Sequence, residues 1–279
     1  MNYNKISKNN KNNIIIYFLM ILFFLYILKM VVNIIFFNQN CNQNSIDYFS
    51  NNIDIIFLSK DELYSILKNN NDNYYNKFYK NDLKVRNINN INEYIYNIKN
   101  YVEDMNHEHK IKLKRCIEKV NDFFNNIKKD WFDGIKANNI KWIIGMNTGK
   151  YYENGLPHTR DNIIILSKEH IETYSDNKLI KTLIHEKIHL YQKIYKDDID
   201  IYIKKNNFTK IKLRTENDNI RANPDLDNWI YKDNNNNILK ATYNNNASSI
   251  EDIQYSPINI QSYEHPFEKM AIEIENLYV

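Results

Sequence analysis

From Ser175 to Tyr195 the chain carries no glycine or proline, and apolar residues recur at helical spacing: Leu179, Ile180, Leu183, Ile184, Ile188, Tyr191, Ile194 and Tyr195. Ser175 or Asp176 can cap the start, Asp176 also complementing the helix dipole, and Lys196 with Asp197 and Asp198 ends the pattern. The predicted helix has about 20 residues and is roughly 30 Å long. The chain must fold so as to bury its apolar stripe. Within it lies His185-Glu186-Lys187-Ile188-His189. Residues four apart stand one above the other on a helix. Two imidazoles bordering the stripe can therefore reach one metal ion about 2 Å from each ring. Glu186 stands beside them and can take a proton from a water held there. His185 and His189 are thus candidate metal ligands and Glu186 a candidate catalytic base. The plainer alternative is a core helix with two hydrogen-bonded histidines. His107 and His109 differ: they are two apart in a charge-dense stretch, and they read as part of a solvated face.

The segment Thr182 to Gln192 resembles the active-site helix of the zincin metallopeptidases. Together with Gly155 to Arg160 and Glu264 to Glu268, it also resembles metallopeptidase-like proteins encoded by large DNA viruses. The resemblance implies Zn²⁺ held by three protein ligands, and peptide hydrolysis through a zinc-bound water activated by Glu186. Six residues follow His189 without Gly or His, which departs from the metzincin extension. A gluzincin-like site would instead take a glutamate from a later helix. Glu268 is the candidate, with Pro266 suited to that helix's first turn and small Ala271 allowing close packing. It lies 79 residues after His189, longer than the compact gluzincin spacing, and Glu264, His265 and Glu273 compete with it.

Ile140 to Gly145 and Asn162 to Leu166 read as strands. Three of the chain's 4 glycines fall between Gly145 and Gly155, and they are expected to mark bending backbone. By resemblance, Ile163 to Leu166 is the edge strand along the cleft, or its neighbour, and would pair with an extended peptide. His158 and Arg160 at its mouth are candidate stabilisers of an oxyanion, or simply a polar loop end. The Arg221 to Trp229 loop, Tyr255 and Tyr263 are further candidates to line or serve the pocket.

Near the start of the chain, Ile14 to Leu28 is unbroken apolar and aromatic, and the run extends past Lys29. Asn13 to Val32 has the roughly 20 residues that span a bilayer core. The lack of small residues disfavours a cleaved signal peptide. Lys5, Lys8 and Lys11 before the run place the N-terminus in the cytosol, with the rest across a host or viral membrane. There Cys41 and Cys116 could pair or remain thiols, and Asn207 and Asn246 would be glycosylation acceptors.

The expected organisation is α+β. A short tail (1–12), a membrane anchor (13–37) and a helical leader (38–135) precede a zincin-like catalytic domain (136–279). That domain comprises a small mixed sheet with an edge strand, the HExxH helix and a C-terminal helix. The leader could be a packing domain or an inhibitory prosegment. A formal charge of +3 with dispersed lysines argues against a nucleic-acid face. The expected partners are a peptide or protein substrate and the membrane; oligomeric state is left open. The reading from another class is a catalytically inactive zincin-like membrane protein that binds partners.

Overall fold

The computed structural model describes residues 54–258 and 263–279. The expected tail and anchor, and Cys41, lie outside the described residues. Among those residues no helix is long and apolar enough to cross a membrane.

The β-branched and aromatic runs form a mixed sheet. β1 (Ile55–Phe57) pairs in parallel with β5 (Trp142–Asn147), and β5 in parallel with β7 (Ile163–Ser167). The short β2 (Val102–Glu103) continues along β5, antiparallel to it, and β6 (His158–Arg160) closes the far side antiparallel to β7. β7 is therefore interior and β6 is the edge strand beside the site. Ile163, Ile164, Ile165 and Leu166 are all buried, as expected for a strand covered on both faces.

One face of the sheet is covered by what the sequence sets apart as a leader. To that face this region supplies α1 (Lys60–Asn69), α2 (Lys80–Val85) and α3 (Ile91–Tyr101); its fourth helix, α4 (His107–Asn125), packs instead against the helix at 176–194. Leu63, Leu67, Tyr94 and Ile98 share one core cluster with Ile163 and Ile165 of β7. No boundary falls at 135/136: β1 and β2 belong to the same sheet, and Asp54–Val279 is one compact unit. The expectation of a separate leader is corrected because strand pairing joins residues more than 80 apart, which local patterning cannot reveal. Gly145 is likewise no bend. It lies inside β5, where a Cβ would meet Leu63 Cδ1 at 2.7 Å, so the missing side chain lets α1 close on the sheet.

After a two-residue hairpin of β3 (Lys128–Lys129) and β4 (Phe132–Asp133) comes α5 (Gly134–Asn138); α6 (Lys168–Thr173) follows β7. Next is the long α7 (Asp176–Ile194), one residue inside the expected limits at each end, with the Ser175 hydroxyl accepting from Lys178 N at 3.3 Å. Leu179, Ile180, Leu183, Ile184 and Ile188 are at most 1% exposed, each contributing ~1.5–3 kcal/mol by burial. His109 on α4 is buried, not solvated, and its Nε2 lies 3.1 Å from Glu172 Oε1. The alternate side of the same helix leaves His107 exposed.

α8 (Lys196–Lys205) leads to a second sheet, antiparallel throughout, in the order β11 (Ile253–Ser256), β10 (Ile238–Tyr243), β9 (Trp229–Lys232), β8 (Thr209–Leu213). The asparagine runs at 234–237 and 244–246 form turns at the ends of β10. The last helix, α9 (Pro266–Glu275), packs against α7 through buried Met270, Ala271 and Ile274.

Candidate metal centre

α7 and α9 each present one edge of the same site. On α7 the rings of His185 and His189 lie one turn apart, with centroids 4.8 Å from each other. On α9, Pro266 occupies the first turn, and the N-cap His265 accepts from Phe267 N through Nδ1 at 3.2 Å. Its Nε2–H then donates to Asp227 Oδ1 at 3.0 Å. This cap brings Glu268 in the first turn against α7. Its Oε2 lies 3.3 Å from His185 Nε2, and its Oε1 lies 3.8 Å from His189 Nε2. One donor atom from each of the three residues falls within 4.8 Å of the others.

The opposite ring nitrogens are already engaged. His185 Nδ1 is 3.0 Å from Glu275 Oε2, two turns beyond Glu268 on α9. His189 Nδ1 is 2.9 Å from Gln192 Oε1, and Gln192 Nε2 in turn donates to the Phe267 carbonyl at 2.9 Å. Both partners are acceptors, so both Nδ1 atoms carry the proton. Each Nε2 faces the shared Glu268 carboxylate, and with Nδ1–H held from behind, Nε2 is the nitrogen that a metal would take once His185 gives up its second proton. Asn223 Nδ2 donates to Glu268 Oε1 at 3.2 Å and steadies that carboxylate. Two imidazoles and one carboxylate, each oriented from behind, fit a catalytic zinc ion.

Protonation follows from the crowding. Burial alone works against a charged His185, but the Glu268 and Glu275 carboxylates outweigh it and raise its proton affinity well above the usual imidazole range. Burial likewise pushes Glu268 up, yet His189, His185 and Arg221 hold its carboxyl well below the ordinary range. Glu186 is buried, and its Oε2 has no hydrogen-bond partner among the described residues. Burial first, then the charge of Asp225, raises its proton affinity well above that of a free glutamate.

These groups line a cavity of about 510 Å³, along with His158, Arg221, Asn223, Asp225 and Tyr255. The Arg221-to-Asp225 part of the expected loop does reach the pocket. The loop is pinned from two sides: Arg221 N donates to Ala241 O at 2.9 Å, and Ala222 N donates to the buried Asp82 carboxylate at 2.8 Å. Tyr263 does not line the cavity.

Three further expectations are corrected by side-chain partners distant in sequence. Arg160 points away from the cavity: its Nε and Nη2 reach Asp72 at 2.6 and 2.8 Å, and its guanidinium stacks over Tyr74 and Tyr75. It cross-links the fold, its guanidinium engaged by Asp72 and the Tyr152 hydroxyl, and it does not line the cavity. His158 lines the cavity, but its Nδ1–H donates to the Leu156 carbonyl at 2.8 Å, so Nε2 offers a lone pair and cannot donate. The outer edge of β6 is also taken: Thr159 N donates to Asp225 Oδ1 at 2.8 Å, and Lys193 Nζ donates to Thr159 O at 3.0 Å. An extended peptide cannot pair at Thr159 while these hold.

The competitors for the third ligand are occupied elsewhere. Glu264 binds Arg221 at 2.5 Å, His265 binds Asp227, and Glu273 lies 3.4 Å from Lys269. Sequence reading missed Glu275 and Gln192, and named Asn223 and Asp225 only as part of a loop that could line the pocket. The first two had a signal, since Glu275 is seven residues from Glu268 and Gln192 three from His189, the same helix faces. Asn223 and Asp225 lie in an irregular loop without periodicity.

A helix-borne His–His pair and a glutamate from a later helix form a group that could hold a metal ion, beside a small mixed sheet that fits the zincin-like class. Residues 113–211, from within α4 to β8, match the SprT-like family, a zincin-like metallopeptidase-type family. The match includes His185, Glu186 and His189 and ends before Asn223, Glu268 and Glu275. Neither the curated proteins nor the solved structures yield a match to this chain.

Proposed function

We propose that this chain is a zinc metallopeptidase of gluzincin-like arrangement, with His185, His189 and Glu268 as metal ligands. The observation that carries this reading is the convergence of those three donors beside a buried glutamate that has an unpartnered carboxylate oxygen. Zinc, when bound, supplies a Lewis acid that polarises a carbonyl and lowers the pKa of water to about 7. Glu186 is assigned to accept the proton of the attacking water and to return it to the leaving amine. Glu275 and Gln192 hold the two imidazoles in the ligating tautomer. Tyr255 and Arg221 line the cavity as donors beside Asn223, whose amide is spent on Glu264 and Glu268, and Arg221 Nε has no hydrogen-bond partner among the described residues. Tyr255 and Arg221, not His158 and Arg160, are assigned to the developing oxyanion. The family match supports the peptidase class, and the geometry supports the ligand set.

The test is Glu186→Gln. It should retain zinc and lose about 10²–10⁴-fold in peptide hydrolysis, the usual contribution of a general base. Turnover at the wild-type rate in that variant would refute the mechanism.

A further inference from the structure

The two walls of the cavity differ in kind. Towards α9 and β11 stand the hydrogen-bond donors Asn223, Arg221 and Tyr255, among the carboxylates of Glu251, Glu268 and Glu275. Towards β6 stand acceptors. His158 is 3% exposed, its only ring proton is spent on the Leu156 carbonyl, and its Nε2 has no partner among the described residues. Burial lowers the proton affinity of His158, against the smaller opposing pull of Asp225 and Glu153, so the ring stays neutral. Asp225, 7% exposed, is fixed by Thr159 N at 2.8 Å and by the Thr159 hydroxyl.

The nearby cations are spent. Lys193 Nζ gives its hydrogen bonds to Thr159 O at 3.0 Å and Oγ1 at 2.5 Å, lies 3.9 Å from Asp225 Oδ1, and does not line the cavity. Arg86 is committed to Glu153 at 2.5 Å, and Arg160 to Asp72. A ligand seated on the β6 wall therefore meets the Asp225 carboxylate, which Lys193 neutralises only from 3.9 Å, and a buried lone pair, with no free side-chain donor there among the described residues. An apolar group there would leave Nε2 unpaired, whereas an ammonium or guanidinium would donate to it and face Asp225.

Resting on the peptidase reading above, we propose that the His158–Asp225 wall is a specificity subsite for a cationic group beside the cleaved bond. That group would be a lysine or arginine side chain, or a free α-amino group.

The test is equilibrium binding to the zinc-loaded wild-type protein, read by fluorescence anisotropy. The probes are non-cleavable reduced-amide peptides that carry lysine or norleucine at each position flanking the modified bond, with free or acetylated N-termini. One charged hydrogen-bonded contact corresponds to about 10- to 100-fold tighter binding of the cationic member. A preference that follows the lysine assigns the site to a side chain; one lost on acetylation assigns it to the N-terminus. The lysine-to-norleucine ratio, or the free-to-acetylated ratio, should fall towards one in Asp225→Asn and in His158→Phe. Equal affinity within twofold across both pairs, or no binding of any peptide, overturns the proposal. Cleavable versions are assayed separately. Selective binding without cleavage would sink the peptidase reading and leave the subsite standing, and cleavage without selectivity would do the reverse.

Discussion

Removing the carboxylate behind His185 should weaken zinc binding by a definable amount. Glu275 Oε2 sits 3.0 Å from Nδ1, with the two side chains 27% and 19% exposed, so the contact is neither buried from water nor fully screened. A hydrogen bond to a charged group contributes ~1.5–3 kcal/mol, and losing an outer partner of a metal ligand typically costs about 10–100-fold in affinity. Glu275→Gln keeps an acceptor but loses the charge, which places it near tenfold, about 1.4 kcal/mol. Glu275→Ala also strands the Nδ1–H, which places it near 100-fold, about 2.7 kcal/mol. Competition with a chromogenic chelator at pH 8, where protons compete least with the metal for His185, reads both values. Gln192→Ala should lose at least as much, because His189 is only 1% exposed and water cannot replace the amide. Wild-type affinity within twofold in both Glu275 variants would refute the argument that α9 orients the first ligand.

Tyr255→Phe should lower kcat by about 10²-fold without loss of zinc, as expected for one oxyanion donor; an unchanged kcat would return that role to another residue. Lys187, between the two histidines, is buried with Nζ 2.5 Å from the Ile140 carbonyl and 3.9 Å from the centre of the Trp142 ring, and burial pushes its ammonium down from 10.5 to about 7. Folded chains then bind fewer protons than unfolded ones between about pH 7 and 10.5, so stability should rise with pH across that window. Lys187→Met should abolish the rise and gain up to about 5 kcal/mol at pH 7, which urea denaturation at several pH values would check. A stability difference between the two proteins that stays constant from pH 7 to 10.5 would contradict this.

The helix that carries His185, Glu186 and His189 was legible because its signals are local. Helical spacing, the Ser175 cap and the four-residue histidine repeat all lie within one segment, and α7 begins and ends within a residue of the expected limits. Glu268 was legible through Pro266 and Ala271 for the same reason. What failed depended on distant partners. Arg160 looked like a functional cation at a strand end until Asp72, 88 residues upstream, neutralised it. The leader looked separate because its pairing with β5 leaves no local trace. The antiparallel sheet of β8 to β11 was hidden among asparagine-rich turns, although it holds the loop that delivers Arg221, Asn223 and Asp225 to the cavity.

The central claim is that His185, His189 and Glu268 bind one zinc ion together. Elemental analysis of the purified protein, alongside His189→Ala and Glu268→Ala, tests it most directly. The account predicts one zinc per wild-type chain and its loss from both variants while they remain folded by circular dichroism. A folded wild-type protein without zinc, or full zinc occupancy in Glu268→Ala, would contradict it.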